Sequence, residues 1–379
     1  MPRPPPQVAE YALDKVLNDA SPVFGAYENV QSDSSTWMSH YPDETNIVHM
    51  NIPGAHDAAT WNYSEATRQS MEHITSLVSD TSIDPSWFRC QNRSMIDMLN
   101  AGVRAFDLRA AQDVTKSTLV FWHGPALQSQ TATLDLVLHA FYKWLEDHPS
   151  ETVLLSIKHE GSKDMKNFDD AAFQQQLYET LTSPAAKRYI LQDRNVFGTL
   201  GQARGKAILL RRFDLNLLST SHQNAVPGIH FSPQKWTVNS ANLALIYNAN
   251  PNPKSGDAGV AYIEDFYHPT SPTLVEDIEL KYAAVQSHLR RAASSRQPDA
   301  LYWTFTSGTN TKHDSESSTP RKVALGREKA DGGSPTNGVN QRLVNLLSEF
   351  HGQRLGIVMF DYFAEPDDLL PKFLGLRAP

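Results

Sequence analysis

The chain has 379 residues, of which 40% are hydrophobic and 20% are charged, a composition that excludes wholesale disorder and allows a large core. Acidic residues outnumber basic ones by 42 to 34, giving a formal net charge of −8. This balance argues against a nucleic-acid partner, because such proteins carry a basic excess. No apolar stretch reaches the ~18 residues that crossing a membrane requires.

The start of the chain and its cysteine content bear on location. Residues 1–7 do not resemble a signal peptide, and the single cysteine, Cys90, excludes an internal disulfide. We therefore expect a cytoplasmic protein, or a secreted one if a signal peptide has been removed.

Seven short runs of apolar and β-branched residues predict buried strands, and several are apolar throughout, as in a parallel sheet covered on both faces. They span residues 47–52, 103–108, 119–122, 152–157, 207–210, 302–305 and 355–360. Amphipathic patterns between them predict helices at residues 133–148, 169–181, 274–292 and 340–350. The repeated strand–helix order, without a glycine-rich dinucleotide motif, predicts one α/β domain folded as a distorted (β/α)8 TIM barrel.

Two segments do not follow this order. Residues 1–45 are rich in Pro, Ser and Asp, and we expect an N-terminal extension that packs on the outside of a catalytic barrel formed by residues 46–379. Residues 308–338 are polar and rich in Gly and Ser, which predicts a long loop.

Ionisable side chains cluster at the predicted C-terminal ends of the strands, where barrels of this type place their functional groups. A single histidine or aspartate in such a place is more often structural, but so many together are not explained by core packing, because unpaired buried charges are costly. The residues concerned are His56, Asp57, Asp107, Arg109, His123, Lys158, His159, Glu160, Arg211, Arg212 and Asp361.

The residue types in this cluster favour acid–base chemistry on a phosphate ester. Two histidines with separate acidic neighbours suggest a general acid and a general base on opposite sides of a reacting phosphorus or carbonyl. An arginine between them suits an anionic phosphoryl oxygen. Because neither a nucleophile motif nor a metal-ligand cluster is present in the sequence, the substrate itself is expected to supply the nucleophile.

With these residues in this order, the sequence resembles the X-domain phosphatidylinositol-specific phospholipases C, as a single-domain member of bacterial or fungal type. The resemblance extends from residue 47 to residue 361. It rests on six segments in matching order: IPGAHD (52–57), GVRAFDLR (102–109), HGP (123–125), ETVLLSIK (151–158), LGQARGK (200–206) and RLGIVMFD (354–361).

The resemblance implies a reaction in which the inositol 2-hydroxyl attacks phosphorus, releasing diacylglycerol and forming inositol 1,2-cyclic phosphate. By position, His56 is the general base on that hydroxyl, and Asp361 orients it. His123 is the general acid that protonates the glycerol oxygen, paired with Asp57. Arg109 stabilises the charge on the phosphoryl oxygens.

The resemblance also implies an inositol-binding set. Asp265 and Tyr267, in the segment YIEDFY (262–267), match a hydroxyl-binding carboxylate and a ring-stacking tyrosine. Either Phe231 or Trp236 is a candidate for a further aromatic of the pocket. The remaining expected substrate-binding residues are Asp107, Lys158, Glu160 and Arg212.

Arg109 indicates whether the enzyme needs a calcium ion. Mammalian-type relatives carry an acidic calcium ligand at this position, so the resemblance implies a calcium-independent enzyme with no metal and no cofactor. The alternative is that Asp107, His123 and Glu160 still capture a cation.

The expected partner is phosphatidylinositol or a related phosphodiester. We expect a monomer that contacts membranes peripherally, and four aromatic residues are candidates for insertion, although core packing is the more common role of such residues. These are Trp61, Tyr63, Trp87 and Phe88.

Three other functions remain open at the level of sequence. One is a phosphodiesterase that acts on a soluble glycerophosphoinositol-type substrate. Another is a non-catalytic X-domain binding protein, which is disfavoured because the acid–base residues are all present. A metal-dependent phosphodiesterase barrel is disfavoured by Arg109.

Overall fold

The structure is a computed structural model that describes residues 8–77, 84–161, 168–249, 259–294, 297–311, 317–328 and 334–377. Its strands are β1 (Ile52–Ala55), β2 (Ala105–Gln112), β3 (Leu119–His123), β4 (Ala126–Leu127), β5 (Val153–His159), β6 (Ala207–Arg212), β7 (Ile229–His230), β8 (Leu243–Asn248), β9 (Gly259–Glu264), β10 (Leu301–Phe305), β11 (Gly326–Arg327), β12 (Thr336–Asn337) and β13 (Ile357–Phe360).

Helices follow or flank most of these strands. They are α1 (Val8–Phe24), α2 (Glu65–Thr75), α3 (Met95–Ala101), α4 (Leu134–Asp147), α5 (Ala171–Leu181), α6 (Pro184–Tyr189), α7 (Leu200–Ala203), α8 (Thr220–Ala225), α9 (Leu274–Ser294), α10 (Pro320–Leu325), α11 (Val339–Leu347) and α12 (Leu369–Leu374). No helix of the described ranges combines the length and the apolar composition that crossing a membrane requires.

The main sheet curves into a nearly closed barrel. Its parallel strands lie in the order β7-β6-β5-β2-β1-β13-β10-β9, and β8 adds to β9 in the antiparallel direction. Strands β7 and β8 are the two ends of this order, and no ladder pairs them within the described residues. The predicted distorted TIM barrel is therefore confirmed, with an open seam between β7 and β8.

Alternating side chains of the strands form two cores. Residues such as Ile208 and Leu210 point into the barrel, where they join Trp303 and Met359. Leu209, from the opposite face of β6, packs outward in the core beneath the helices. This alternation follows from the two-residue period of a strand, and it decides which strand-end side chains enter the barrel.

Several predicted strand positions need correction. Residues 47–49 form a 3-10 helix and β1 begins only at Ile52, because the apolar character of the run does not distinguish a strand from another buried segment. The predicted strand at 119–122 is not a parallel barrel strand, since β3 pairs antiparallel with β2. Strands β7, β8 and β9 were missed, and the first of them has only two residues.

The N-terminal segment contains the long helix α1, which the composition of residues 1–45 did not predict. Phe24 at its end packs edge-on against Phe141 of α4, with ring centres 5.1 Å apart, and the Tyr27 hydroxyl donates to Asp147 at 2.6 Å. Helix α1 thus lies on the helical layer outside the barrel.

The segment 308–338 is more ordered in its described part than a long loop. It contains helix α10 and a short antiparallel ladder between β11 and β12. Asp277 on α9 anchors the segment, because its buried carboxylate accepts from Ser318 Oγ at 2.6 Å and from Asn310 Nδ2 at 3.2 Å.

A fully buried ion pair connects β2 to the start of β5 and to the N-terminal segment. Arg104 Nη2 lies 2.8 Å from Glu151 Oε2, and both side chains are inaccessible to solvent. The guanidinium also donates to the carbonyl oxygens of Ser35 and Leu99 at 2.8 Å each. Nearly all of its donors are satisfied, which is the condition for burying an arginine at acceptable cost.

Replacing Glu151 by glutamine is expected to lower the free energy of unfolding by about 3 kcal/mol or more, because the Arg104 charge stays buried without its partner. Urea unfolding followed by circular dichroism measures the loss. Glu349→Gln is the control, since it disrupts an exposed pair with Arg290 and should cost less than about 1 kcal/mol. Equal losses in the two variants would contradict the role assigned to the buried pair.

Candidate active site

The C-terminal ends of neighbouring strands bring the proposed catalytic residues together. β1 pairs with β13 so that Ala55 lies opposite Phe360, and the next residues of the two strands are His56 and Asp361. Both strands then turn sharply, because Asp57 and Tyr362 adopt positive φ angles of 41° and 46°. Such left-handed backbone is uncommon for residues other than glycine and is concentrated at functional sites.

His56 is held in one protonation pattern by its two neighbours. Its Nδ1 lies 2.7 Å from Asp361 Oδ1, and its Nε2 lies 2.6 Å from Arg109 Nη2. Since a guanidinium can only donate, Nε2 accepts and the ring proton resides on Nδ1, donated to the carboxylate. The Nε2 lone pair therefore points toward the centre of the site, as a general base requires.

His123 approaches from the hairpin strand β3. Its Nδ1 lies 2.9 Å from the Phe88 carbonyl oxygen, to which it can donate, and 3.0 Å from Asp57 Oδ2. These contacts occupy the Nδ1 edge of the ring and leave Nε2 to face a substrate. Burial raises the pKa of Asp57 above its usual value, although the charges of His123 and Arg109 oppose the shift.

The Arg109 guanidinium lies among three carboxylates. Its Nε is 3.0 Å from Asp107 Oδ2, and its Nη1 is 3.6 Å from Asp57 Oδ2 and 3.9 Å from Glu160 Oε2. Only 13% of the side chain is exposed. The arginine thus supplies positive charge at the point where the acidic groups converge, which is a place that a cation would otherwise suit.

Asp107 is the fully buried centre of this network. It accepts from Arg109 and, more weakly, from Arg212 Nη1 at 3.4 Å, and its Oδ2 also accepts from the Asp57 backbone N–H at 3.3 Å. Burial alone would raise its pKa, but the two guanidinium groups hold the pKa of Asp107 well below its usual range. Asp107 is therefore an ionised group that orients Arg109.

Lys158 and Glu160 form a second charged pair at the end of β5. Lys158 Nζ donates to Glu160 Oε2 at 3.0 Å, and Glu160 Oε1 accepts from the Gly124 backbone N–H at 3.1 Å. Burial opposes ionisation, but the charges of Lys158 and Arg109 lower the pKa of Glu160 well below its usual range. The Gly124 contact connects this pair to the residue next to His123.

Asp265 and Tyr267 lie on the same side of the barrel as the other predicted site residues. Asp265 Oδ2 accepts from Trp236 Nε1 at 2.7 Å, and its charge acts on the buried Arg212. Tyr267 is half-buried, and burial together with the negative charge of Asp265 raises its pKa.

Arg212 is enclosed by an aromatic wall formed by Trp236 and Phe305. The sequence did not indicate whether Phe231 or Trp236 joins the site. The Arg212 guanidinium carbon lies 3.9 Å from the centre of the Trp236 ring and 5.5 Å from that of Phe305, which is a cation–π arrangement. Phe231 instead packs against Trp303 inside the barrel. Trp236 is thus the aromatic that joins the site, and its spacing from Arg212 in sequence gave no signal of this contact.

Gln91 is a supporting residue that the sequence did not single out. Its Nε2 donates to the backbone carbonyls of His56 at 2.7 Å and of Phe360 at 2.8 Å. It thereby fixes the ends of β1 and β13 relative to each other, next to His56 and Asp361.

Cys90 lies between the two histidine pairs. Its Sγ is 3.9 Å from His123 Nδ1, and it falls into two groups of possible metal ligands, one with His56 and Asp361 and the other with Asp57 and His123. Burial, with the negative charges of Asp361 and Asp57, raises the pKa of the Cys90 thiol well above its usual value. The raised pKa keeps the thiol protonated, and a metal ion bound to either group would have to displace that proton.

The middle of the chain matches a known family model. The family model of the phosphatidylinositol-specific phospholipase C X domain matches residues 70–213, a range that includes Arg109 and His123 but not His56 or Asp361. Over this range the chain is similar to the X-domain family.

Curated relatives cover most of the chain at low identity. The 1-phosphatidylinositol phosphodiesterase of Listeria monocytogenes is 26% identical over 332 residues, covering 86% of this chain and 80% of that protein. The protein of the same name from Staphylococcus aureus is 22% identical over 292 residues, covering 74% and 78%. Human PI-PLC X domain-containing protein 1 is 28% identical over 271 residues, covering 68% and 77%.

Solved structures show the same fold. A mutant phosphatidylinositol-specific phospholipase C from Staphylococcus aureus superposes with a TM-score of 0.67 at 18% identity, covering 91% of this chain and 98% of the other. The Listeria monocytogenes enzyme gives a TM-score of 0.59 at 21% identity, covering 90% and 98%. The barrel of this chain therefore has the architecture of the bacterial members of the family.

The contacts of His56 predict where its proton resides. In 15N NMR at a pH where the ring is neutral, we expect the proton on Nδ1, shifted strongly downfield by the short bond to Asp361. Asp361→Ala should abolish the downfield signal, because no carboxylate then accepts the proton. The exposed pair of His49 and Asp299, whose atoms lie 2.9 Å apart, is the control and should give no protected proton. A wild-type proton on Nε2 would contradict the arrangement.

Proposed function

We propose that this chain is a calcium-independent phosphatidylinositol-specific phospholipase C. It cleaves phosphatidylinositol to diacylglycerol and inositol 1,2-cyclic phosphate, by attack of the inositol 2-hydroxyl on the phosphorus. The observation that carries the proposal is the contact of His56 with Asp361 and Arg109, which presents a basic ring nitrogen beside a guanidinium. The match to the X-domain family model and the names of the curated relatives support the same reaction.

The proposed proton transfers use the two histidines in complementary roles. His56 Nε2 takes the proton of the 2-hydroxyl as the new phosphorus–oxygen bond forms, and Asp361 stabilises the resulting imidazolium. His123 donates a proton to the glycerol oxygen as the bond from that oxygen to phosphorus breaks, and Asp57 lies beside its ring. The proton lost from the inositol is thus balanced by the proton gained by diacylglycerol.

Arg109 is proposed to stabilise the pentacoordinate phosphorus. In the site without substrate, Arg109 contacts His56 Nε2. When substrate binds, the inositol 2-hydroxyl would take the place of Arg109 at His56, and a phosphoryl oxygen would take the place of His56 at Arg109. Because Asp107 holds Arg109 Nε at 3.0 Å, the two terminal nitrogens of the guanidinium remain available to donate to phosphoryl oxygens. The fixed positive charge does the work that a calcium ion would do, which is the basis for proposing calcium independence.

The remaining polar groups suit a neutral, hydroxyl-rich ring. Lys158, Glu160 and Asp265 offer donors and acceptors to inositol hydroxyls, Tyr267 offers a face for stacking, and Arg212 supports Asp107 from within its aromatic wall. Two cations in this group, each paired with a carboxylate, leave little free positive charge for extra phosphates. The site therefore favours unphosphorylated inositol over its polyphosphates.

A second candidate is a phosphodiesterase for a soluble glycerophosphoinositol. It is favoured by the placement of the aromatic residues considered for membrane insertion. Trp61 Nε1 donates to the Val23 carbonyl oxygen at 2.7 Å, Tyr63 is 4% exposed, and Phe88 packs on His123. These three rings are engaged within the protein, so of the four candidates only Trp87 is left for peripheral membrane contact.

The reaction can be tested by phosphorus NMR with an excess of chelator. We expect a cyclic inositol phosphate signal from phosphatidylinositol in detergent micelles, because Arg109 replaces the metal. A parallel sample contains soluble glycerophosphoinositol, and cleavage there alone would favour the second candidate. Product that appears only after calcium is added would contradict the role of Arg109, and no product in any sample would contradict the enzymatic proposal.

His56→Ala and His123→Ala should each lower kcat by about 10²-fold to 10⁴-fold, the usual contribution of a positioned acid or base. His139→Ala is the matched control, because that histidine lies on the exposed face of α4, and it should keep the wild-type rate. Circular dichroism verifies that each variant is folded. A folded His56→Ala or His123→Ala variant with the control rate would contradict the corresponding assignment.

A further inference from the structure

A polar cavity lies at the open seam of the barrel. Its volume is about 380 Å³, and its lining includes Arg211 and His230 from adjacent strands and Tyr247 from β8. None of the residues that line it belongs to the site proposed above for catalysis. The volume is many times the ~30 Å³ share of one water molecule, so the cavity can hold a small ligand.

The side chains of the two consecutive arginines of β6 point to opposite sides of the barrel wall. Arg212 points inward to Asp107, and because side chains alternate along a strand, Arg211 points outward into the cavity. The cavity is therefore separated from the catalytic site by the backbone of β6.

Arg211 is buried and forms no ion pair with any residue that the structure describes. It is only 6% exposed, and its one hydrogen bond is a long one, 3.4 Å from Nη1 to the Val226 carbonyl oxygen. Its Nε has no hydrogen-bond partner, and no carboxylate of the described residues lies within ion-pair distance. Burial and the nearby charge of Arg194 lower the pKa of Arg211 to about 10, and the negative charge of Asp214 opposes this shift only in part. A buried guanidinium with no ion pair and an unsatisfied Nε is costly unless a ligand supplies the missing acceptors.

Two further cations lie at the same cavity. Arg194 and Lys235 are exposed residues of its lining, and no ion pair involves either one in the described part of the chain. Arg194 Nη1 donates to Asn224 Oδ1 at 3.2 Å, and its other terminal nitrogen remains available.

Among the described residues of the lining, the one carboxylate is already engaged. Asp214 accepts from Gln234 Nε2 and lies 2.8 Å from His230 Nε2. Three permanent positive charges therefore face the cavity against one negative charge. This excess is local, since the chain as a whole has a net charge of −8.

We propose that this seam cavity is a second ligand site, which binds a phosphate monoester through Arg211, with Arg194 and Lys235 at its rim. A phosphate dianion matches the excess of positive charge, and its oxygens match the fork of donors on a guanidinium. The phosphate group could come from a soluble phosphate ester or from the headgroup of an anionic lipid. The proposal does not depend on the catalytic function, because it concerns different residues.

The first experiment measures the binding of inorganic phosphate by isothermal titration calorimetry. Arg211→Met and Lys235→Gln should each weaken the affinity about tenfold, because each removes a charge-assisted contact. Lys187→Gln, at an exposed lysine on α6, is the charge-matched control and should bind like the wild type. Lys235 is on the surface, so its variant keeps the test valid even if Arg211→Met fails to fold.

The second experiment distinguishes the two sources of phosphate by vesicle sedimentation. Vesicles of phosphatidylcholine with phosphatidic acid are compared with vesicles of phosphatidylcholine alone. If the cavity binds a lipid headgroup, Lys235→Gln and Arg211→Met should each reduce binding to the phosphatidic acid vesicles about tenfold. Lys187→Gln should leave that binding unchanged. If the two variants lose affinity for inorganic phosphate but bind the vesicles like the wild type, the cavity binds a soluble phosphate ester.

The proposal is overturned if both variants bind inorganic phosphate and phosphatidic acid vesicles as tightly as the wild type. Any phosphate binding that remains would then belong to another part of the protein, such as the surroundings of Arg109. Both measurements are independent of turnover, so an inactive enzyme with an intact seam site would contradict the proposed function alone.

Discussion

The site depends on one buried guanidinium. Arg109 lies 3.0 to 3.9 Å from the carboxylates of Asp107, Asp57 and Glu160, groups that could not all be ionised in a protein interior without a nearby cation. The same guanidinium donates to His56 Nε2 and so fixes the proton of that ring on Nδ1. The lowered pKa of Asp107, the tautomer of His56 and the positive charge offered to a substrate therefore all involve this one side chain.

The barrel makes this concentration of charge possible through strand register. The pairing of β1 with β13 places His56 beside Asp361, which is 305 positions later in the chain. The antiparallel hairpin of β2 and β3 carries His123 back over the barrel mouth, where Asp57 and the Phe88 carbonyl hold it. Rigid strand ends and their tight turns position the groups, which limits the reorganisation needed during a reaction.

The buried arginines of the chain differ in how they are compensated. Arg104 has Glu151 and several carbonyl groups, and Arg109 has three carboxylates. Arg211 has one long hydrogen bond, a positive neighbour in Arg194 and only the more distant negative charge of Asp214. The contacts of Arg104 stabilise the fold, and those of Arg109 organise the catalytic centre. Those of Arg211 leave binding capacity unused within the protein, which is why the seam cavity is the place to look for a second ligand.

Residue patterns were enough to predict the class of fold and most of the residues gathered at the barrel mouth, because apolar runs mark buried strands and charged residues directly after them must meet at one edge. The family resemblance added the expectation that Arg109 stands where calcium-dependent relatives carry an acidic ligand. Three features could be recognised only in the folded chain: β3 runs antiparallel, Trp236 rather than Phe231 covers Arg212, and Gln91 joins two strand ends. Those features rest on contacts between residues far apart in the chain, and no local pattern of residues encodes the distance between them.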